Sequence, residues 1–169
     1  MINRNNSYIV NTRNFIDCKK IEMLNKNTKE LLVLFRKKCR QHNLSMTPQR
    51  LAIYKAMIDS TDHPSAENIF NRVRDAFPDI AVDTIYRTLA TFSEIGVIHV
   101  VEGYGEVKRY DPDTEPHHHF RCTRCNKIVD LYGDIFGKLN IPLRLKKKYN
   151  VSNIKVVLEG ACDGCLKDR

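Results

Sequence analysis

From residue 28 to residue 92, apolar positions recur at helical spacing. Leu31, Leu32, Phe35 and Cys39 line one face of a predicted helix that Thr28 would cap and that ends near His42 and Asn43. Thr47 followed by Pro48 is a second start signal, an N-cap hydroxyl and then a proline at the first helical position. Leu51, Ile53, Tyr54 and Met57 continue that helix. Residues 60–64 break the pattern. Ser65 then caps a third helix, with Ile69, Phe70, Val73 and Phe77 on its face and Pro78 as its stop. Ala81 or Asp83 opens a fourth, over residues 84–92, and Gly96 closes it as a left-handed residue.

The period then changes from helix to strand. Residues 97–102 are rich in β-branched side chains, residues 103–105 form a turn, and residues 106–110 return. Short helices followed by a hairpin make a winged helix-turn-helix pattern. Residues 111–116 hold two prolines and three acidic residues, a hinge by composition. Beyond it, residues 117–121 and 127–131 are short predicted strands. Residues 132–149 read as helical with a break at Pro142, and residues 154–158 as a last strand. The expected class is therefore α+β. Residues 1–27 form an extension, 28–110 a winged-helix domain, 111–116 the hinge, and 117–169 a second, smaller α/β domain.

Composition narrows the function. The 169 residues are 42% hydrophobic and 28% charged, enough to bury a core. The longest apolar run, residues 31–35, is far short of the roughly 20 residues that cross a bilayer. The N-terminus carries no apolar stretch of the secretory kind, so a cytoplasmic location is expected. Net charge is +8, and residues 19–55 alone hold ten Lys or Arg against two Glu. A solvated helix face explains such a cluster by itself. With a winged-helix pattern behind it, the cluster points to double-stranded DNA.

Six cysteines sort into two kinds. Cys18 and Cys39 stand alone, whereas Cys122, Cys125, Cys162 and Cys165 form two C-x-x-C pairs separated by 36 residues. One such pair alone also fits a redox motif. Two pairs present four thiolates, the donor set of a tetrahedral structural Zn²⁺ site, and the long gap means that tertiary structure must bring them together.

Two further groups carry chemistry. In the fourth helix, Asp83, Thr84, Tyr86 and Arg87 are placed to meet a groove, with Ile85, Leu89 and Phe92 on the core side. Lys37, Lys38 and Arg50 are phosphate candidates. After the hinge come His117, His118 and His119. On a strand, His117 and His119 share a face and His118 points away. Polar linker histidines are the plain alternative. With Asp111, Asp130 and the loop residue His63, the two imidazoles make a nitrogen- and oxygen-rich set suited to Fe²⁺ or Mn²⁺.

These residues resemble the Fur (ferric uptake regulator) family of metal-responsive repressors, over roughly residues 28 to 165. The resemblance rests on residues 47–50, residues 83–89, the stretch from His117 to Cys125, and the Cys162–Cys165 pair. It implies a homodimer that binds an inverted-repeat operator, with a dimerisation domain over residues 117–169. It also implies a structural zinc site at Cys122, Cys125, Cys162 and Cys165 and a regulatory Fe²⁺ or Mn²⁺ site at His63, Asp111, His117, His119 and Asp130. The two aspartates, where iron-uptake members commonly carry Glu, make the chain most similar to the peroxide-sensing (PerR) branch. Tyr86-Arg87 is closer to the iron-type recognition helix. An iron-responsive or a zinc-uptake regulator is the alternative within the family.

Two readings lie outside it. A zinc deaminase needs an H-x-E triplet and a proline before its C-x-x-C, but Arg121 precedes Cys122 and no H-x-E occurs, so no enzyme is expected. A zinc-ribbon module without DNA binding leaves the basic helices and the hairpin unexplained.

Overall fold

The computed structural model describes residues 28–101, 107–132 and 139–167. Helix α1 (Thr28–Gln41) buries Phe35 and Cys39, four residues apart on one face. Thr28 is its first helical residue rather than its cap. Helix α2 (Pro48–Ile58) starts where the Thr47 hydroxyl accepts the Arg50 N–H at 3.2 Å. Helix α3 (Ala66–Val73) has a reciprocal cap: the Ser65 hydroxyl accepts the Asn68 N–H at 3.1 Å, and Asn68 Oδ1 accepts the Ser65 N–H at 3.0 Å. Helix α4 (Val82–Glu94) begins at Ala81 without a side-chain cap and buries Ile85, Thr88, Leu89 and Phe92. It ends against Gly96, whose φ of +68° lets the Val97 N–H return to the Phe92 carbonyl.

Three rings tie the helices together. Phe35 stacks on Tyr54 with centroids 3.9 Å apart, and Phe92 meets Phe35 edge-on at 5.1 Å. Around them Ile53, Met57, Ile69, Ile85 and Leu89 are fully buried. This is the core that fixes α4 against α1 and α2.

The wing is the antiparallel pair β1 (His99–Val101) and β2 (Arg109–Asp111), with His99 opposite Asp111; β1 lies inside the expected 97–102, and β2 ends one residue beyond the expected 106–110. The second sheet has the order β4-β3-β5. Strand β3 (His118–Cys122) pairs antiparallel with β4 (Ile128–Leu131) and parallel with β5 (Val157–Gly160).

Two expectations for this half are corrected. Residues 132–149 are not one helix: Tyr132 lies outside any helix, residues 133–138 lie outside the described residues, and only α5 (Leu143–Lys148) is helical. The helix waits for Pro142, which serves as its N-cap, and none of its residues is buried. The last strand starts at Val157 rather than 154, because the parallel register to β3 sets it: His119 pairs with Val157 and Cys122 with Gly160. A short helix, α6 (Asp163–Lys167), follows. The expected N-terminal extension, with Cys18, lies outside the described residues. No described helix is long and apolar enough to cross a membrane.

The Ser65 cap is the simplest of these devices to test. Ser65→Ala should cost about 1 kcal/mol of folding free energy, the usual worth of an N-cap hydroxyl. Urea unfolding checks this, with a shifted midpoint and an unchanged slope expected.

Candidate metal centres and nucleic-acid interface

The parallel register closes the 36-residue gap between the cysteine pairs. Cys122 ends β3 beside Gly160 at the end of β5, and the Thr123 N–H donates to the Gly160 carbonyl at 2.8 Å. The first pair sits in a tight turn: the Asn126 N–H returns to the Cys122 carbonyl, and Asn126 adopts φ +57°. The second pair leads into α6. The four sulfurs of Cys122, Cys125, Cys162 and Cys165 lie within 4.8 Å of one another, Cys125 and Cys162 at 3.6 Å. A tetrahedron with zinc–sulfur bonds of about 2.3 Å places its sulfurs about 3.8 Å apart.

The electrostatics suit a cation there. Backbone N–H groups of Cys125 and Cys162 pull the Cys122 thiol down to about 6, while the neighbouring sulfurs of Cys125 and Cys162 push Cys165 up to about 12. Four like charges at this separation need a dication among them. Cys39 is buried in the helical core, apart from this cluster.

The second cluster joins the two sheets. Asp111 ends β2, His119 and Asp130 face each other across β3 and β4, and His63 projects from the loop before α3. His63 has φ +48°, a strained setting for a residue with a Cβ. The wing holds it there. Arg109 donates to the carbonyls of His63 (2.5 Å) and Asp62 (2.8 Å), and the Tyr110 N–H donates to the Pro64 carbonyl (3.0 Å).

The donor atoms then converge. His63 Nε2 lies 2.6 Å from Asp130 Oδ1 and 3.7 Å from Asp111 Oδ2. His119 Nε2 lies 3.5 Å from Asp111 Oδ2 and 3.7 Å from Asp130 Oδ1. One donor atom from each of these four buried residues falls within 4.8 Å of the others. His117 Nε2 joins at 2.8 Å from Asp111 Oδ2 and 3.0 Å from His119 Nε2. His118, as expected from strand alternation, faces the other way, where its Nδ1 accepts the Val156 N–H.

This geometry calls for a positive charge at the centre. His117 Nδ1 lies 2.8 Å from the Glu115 carbonyl, a contact that requires Nδ1 to carry the proton. Its Nε2 lone pair then faces a carboxylate oxygen and a second imidazole nitrogen. Both ring nitrogens of His63 and Oδ2 of Asp111 are buried without an aligned hydrogen bond among the described residues. Burial opposes charge on His63, but the carboxylates of Asp111 and Asp130 outweigh it and hold the imidazolium to a pKa of about 9. For Asp111, burial is outweighed by His117, His119 and His63, and its carboxyl stays well below the usual range.

Helix α4 presents Tyr86 half-exposed and Asp83 and Arg87 at the surface. Asp83 and Arg87 pair at 2.7 Å, one turn apart, and Thr84 is partly buried. Lys37 and Lys38 are exposed on α1. Arg50 donates through Nη1 to the Ser45 carbonyl at 2.6 Å, bracing the turn before α2. Three residues that sequence reasoning missed also shape the hinge cluster: Arg109, Asp113 and Tyr132. For Tyr132 a signal existed, since it stands two residues after Asp130 in extended chain and so shares its face.

The raised pKa of His63 has a measurable consequence for the metal-free hinge site. The unfolded value is about 6.5. Stabilisation from the imidazolium is therefore complete below pH 6.5 and is lost as pH rises through about 9. Zinc-loaded wild type with no metal added at the hinge should lose on the order of 1–3 kcal/mol more than zinc-loaded His63→Gln between those limits. Urea unfolding at both pH values checks it.

Comparison with known proteins agrees with this architecture. The model of the ferric uptake regulator family matches residues 41–159. The chain is 32% identical over 126 residues to the peroxide-responsive repressor PerR of Staphylococcus saprophyticus, covering 75% of this chain and 85% of the relative. Its PerR counterpart in Staphylococcus epidermidis is 30% identical over 129 residues, covering 76% and 86%. Among solved structures, the ferric uptake regulator Fur of Helicobacter pylori shares the fold, with a TM-score of 0.70 at 20% identity over 83% of this chain and 95% of that one. A zinc uptake regulator complexed with zinc and DNA matches with a TM-score of 0.62 at 26% identity, covering 85% and 97%. A family match over most of the length, on a winged helix joined to a small sheet by a cluster of metal-ligand residues, makes this chain a member of the ferric uptake regulator family of metal-responsive regulators.

Proposed function

We propose that this protein is a DNA-binding transcriptional repressor that needs a metal to bind its operator and lets go when peroxide is present. The observation that carries the reading is the convergence at one point of His63 and Asp111, held by the winged helix, with His119 and Asp130 of the second sheet and His117 before it. A cation there is a ligand common to both halves. It favours the DNA-binding arrangement by its differential affinity for that arrangement. Three imidazoles and two carboxylates suit Fe²⁺ or Mn²⁺, whereas Cys122, Cys125, Cys162 and Cys165 suit Zn²⁺. The PerR relatives support the peroxide branch, and the zinc uptake regulator bound to DNA supports the DNA-binding role.

In this reading the residues have distinct tasks. Arg109 fixes the His63 loop to the wing, so a metal that draws in His63 also orients α4. Tyr86 and Arg87 meet the major groove, Arg87 exchanging Asp83 for a base edge or a phosphate, with Asp83 and Thr84 on the leading turn. Lys37, Lys38 and Arg50 meet phosphates. Residues 117–169 form the dimer, which carries two α4 helices to an inverted-repeat operator. His63, Asp111, His117, His119 and Asp130 would hold the hinge ion, and Fe²⁺ there would supply the one-electron chemistry that cleaves a peroxide O–O bond, which Mn²⁺ would not supply readily. The oxidant is peroxide itself: a ring carbon of His63 or His117 would exchange its C–H for C–OH, the second peroxide oxygen would leave as water, and the altered ring would ligate less well.

The zinc-loaded protein should bind promoter DNA with either Fe²⁺ or Mn²⁺. Dilute peroxide should release only the Fe²⁺ form, with the mass of one added oxygen on a peptide carrying His63 or His117. Fluorescence anisotropy and mass spectrometry read the two effects. Iron-dependent binding without a peroxide response would make the protein an iron-responsive regulator. Binding driven by Zn²⁺ alone would make it a zinc-uptake regulator. Disulfides at the C-x-x-C pairs with intact histidines would replace the mechanism with thiol sensing, and no DNA binding in any state would leave a zinc-ribbon module.

Structural zinc is worth on the order of 10 kcal/mol in small domains. Cys122→Ser should therefore lose zinc and the dimer together, as read by metal analysis and sedimentation. A dimeric, thermally unchanged variant would show that the site is not structural.

A further inference from the structure

We infer that Tyr132 and Asp113 are positioning residues of the hinge metal site, an inference that rests on the metal reading above. Neither residue offers an atom to the donor cluster. Both are buried, at 4% and 5% exposure, and they are bonded to each other: the Tyr132 hydroxyl donates to Asp113 Oδ2 at 2.8 Å. The other oxygen, Asp113 Oδ1, accepts the Glu115 N–H at 2.9 Å.

Asp113 stands in the middle of a chain of hydrogen bonds that runs from one proposed ligand to another. Its own N–H donates to Asp111 Oδ1 at 2.8 Å, which leaves Asp111 Oδ2 as the oxygen facing the imidazoles. At the far end, the Glu115 carbonyl accepts from His117 Nδ1 at 2.8 Å, which leaves Nε2 facing inward. Every second residue from 111 to 117 is thus linked to the next. Asp113 Oδ2 also lies 4.0 Å from His117 Nδ1, on the side that favours a proton there.

Tyr132 anchors this loop to the strand that carries Asp130. The phenol ring lies 5.2 Å from the His117 ring, tilted by 37°, and limits its rotation. The Tyr132–Asp113 hydrogen bond therefore tethers the loop that selects the inward oxygen of Asp111 and the inward nitrogen of His117 to the strand that carries Asp130. Partners of this outer kind orient ligands, and their loss typically lowers metal affinity about 10- to 100-fold.

The test uses the full-length, zinc-loaded protein, titrated at the hinge with Mn²⁺ for affinity and with Co²⁺ for its visible spectrum. Tyr132→Phe, which removes one oxygen, should weaken Mn²⁺ about tenfold and change the Co²⁺ spectrum, with zinc content unchanged. Asp113→Asn should do at least as much, and it carries the test should Tyr132→Phe fail to fold. The double variant should be no weaker than Asp113→Asn alone, because the hydroxyl acts through that carboxylate. Wild-type affinity and spectrum in Tyr132→Phe would overturn the inference. So would a lowered unfolding midpoint with a wild-type Co²⁺ spectrum, the signature of a merely structural bond, and so would losses that add independently. Failure of the unmutated protein to take up Mn²⁺ or Co²⁺ at the hinge would overturn the metal reading itself and the inference with it.

Discussion

Two buried carboxylates, Asp111 and Asp130, set the constraint on which the hinge of this protein depends. A carboxylate removed from water costs several kcal/mol unless positive charge and hydrogen bonds replace the solvent. Here three imidazoles surround the pair, and two of the five groups come from the winged-helix side. Charge balance at this point therefore requires contributions from both sheets. A proton on His63 supplies it in the metal-free protein, and in the proposed function a divalent cation takes the place of that proton. Competition between the two would then link metal binding to pH and to the arrangement of the domains.

The surrounding structure ties that cluster to the rest of the fold. His63 is held at a positive φ by Arg109, which lies on the same strand as Asp111. The loop is thus bonded to the wing, and it runs directly into the capped start of α3. From α3 the apolar core leads to α4 through Ile69, Ile85 and Leu89. On the other side, the register of β3 with β4 and β5 fixes His119 opposite Asp130 and sets the four cysteines at the far end of the same strands. The two candidate metal-ligand clusters share strand β3, which carries His119 of one and Cys122 of the other.

How much of this could be read from the sequence depended on distance along the chain. Local chemistry was legible: Thr47 and Pro48 start a helix, Ser65 caps one, Gly96 ends one, and alternation on a strand separates His118 from His119. Metal-ligand residue types at short spacing were legible for the same reason. Strand ends were not, because partners decide them; β5 starts where β3 can pair with it, at Val157, three residues past the expected start at Ile154. The helix expected over residues 132–149 failed because Tyr132 follows β4 in extended chain and bonds Asp113, and Pro142 delays the helix. Arg109 with His63, and Tyr132 with Asp113, are contacts across 46 and 19 residues that no local pattern encodes. Their roles follow from the fold, not from propensity.

The central claim is that one metal ion at the hinge joins the winged helix to the second sheet through His63. Small-angle X-ray scattering of the zinc-loaded protein, with and without Mn²⁺, tests it most directly when wild type is set beside His63→Gln. The account predicts that Mn²⁺ compacts the wild type and leaves the variant, with its zinc intact, at the metal-free dimensions. A variant that compacts as the wild type does, or a wild type whose scattering ignores the metal, would contradict it.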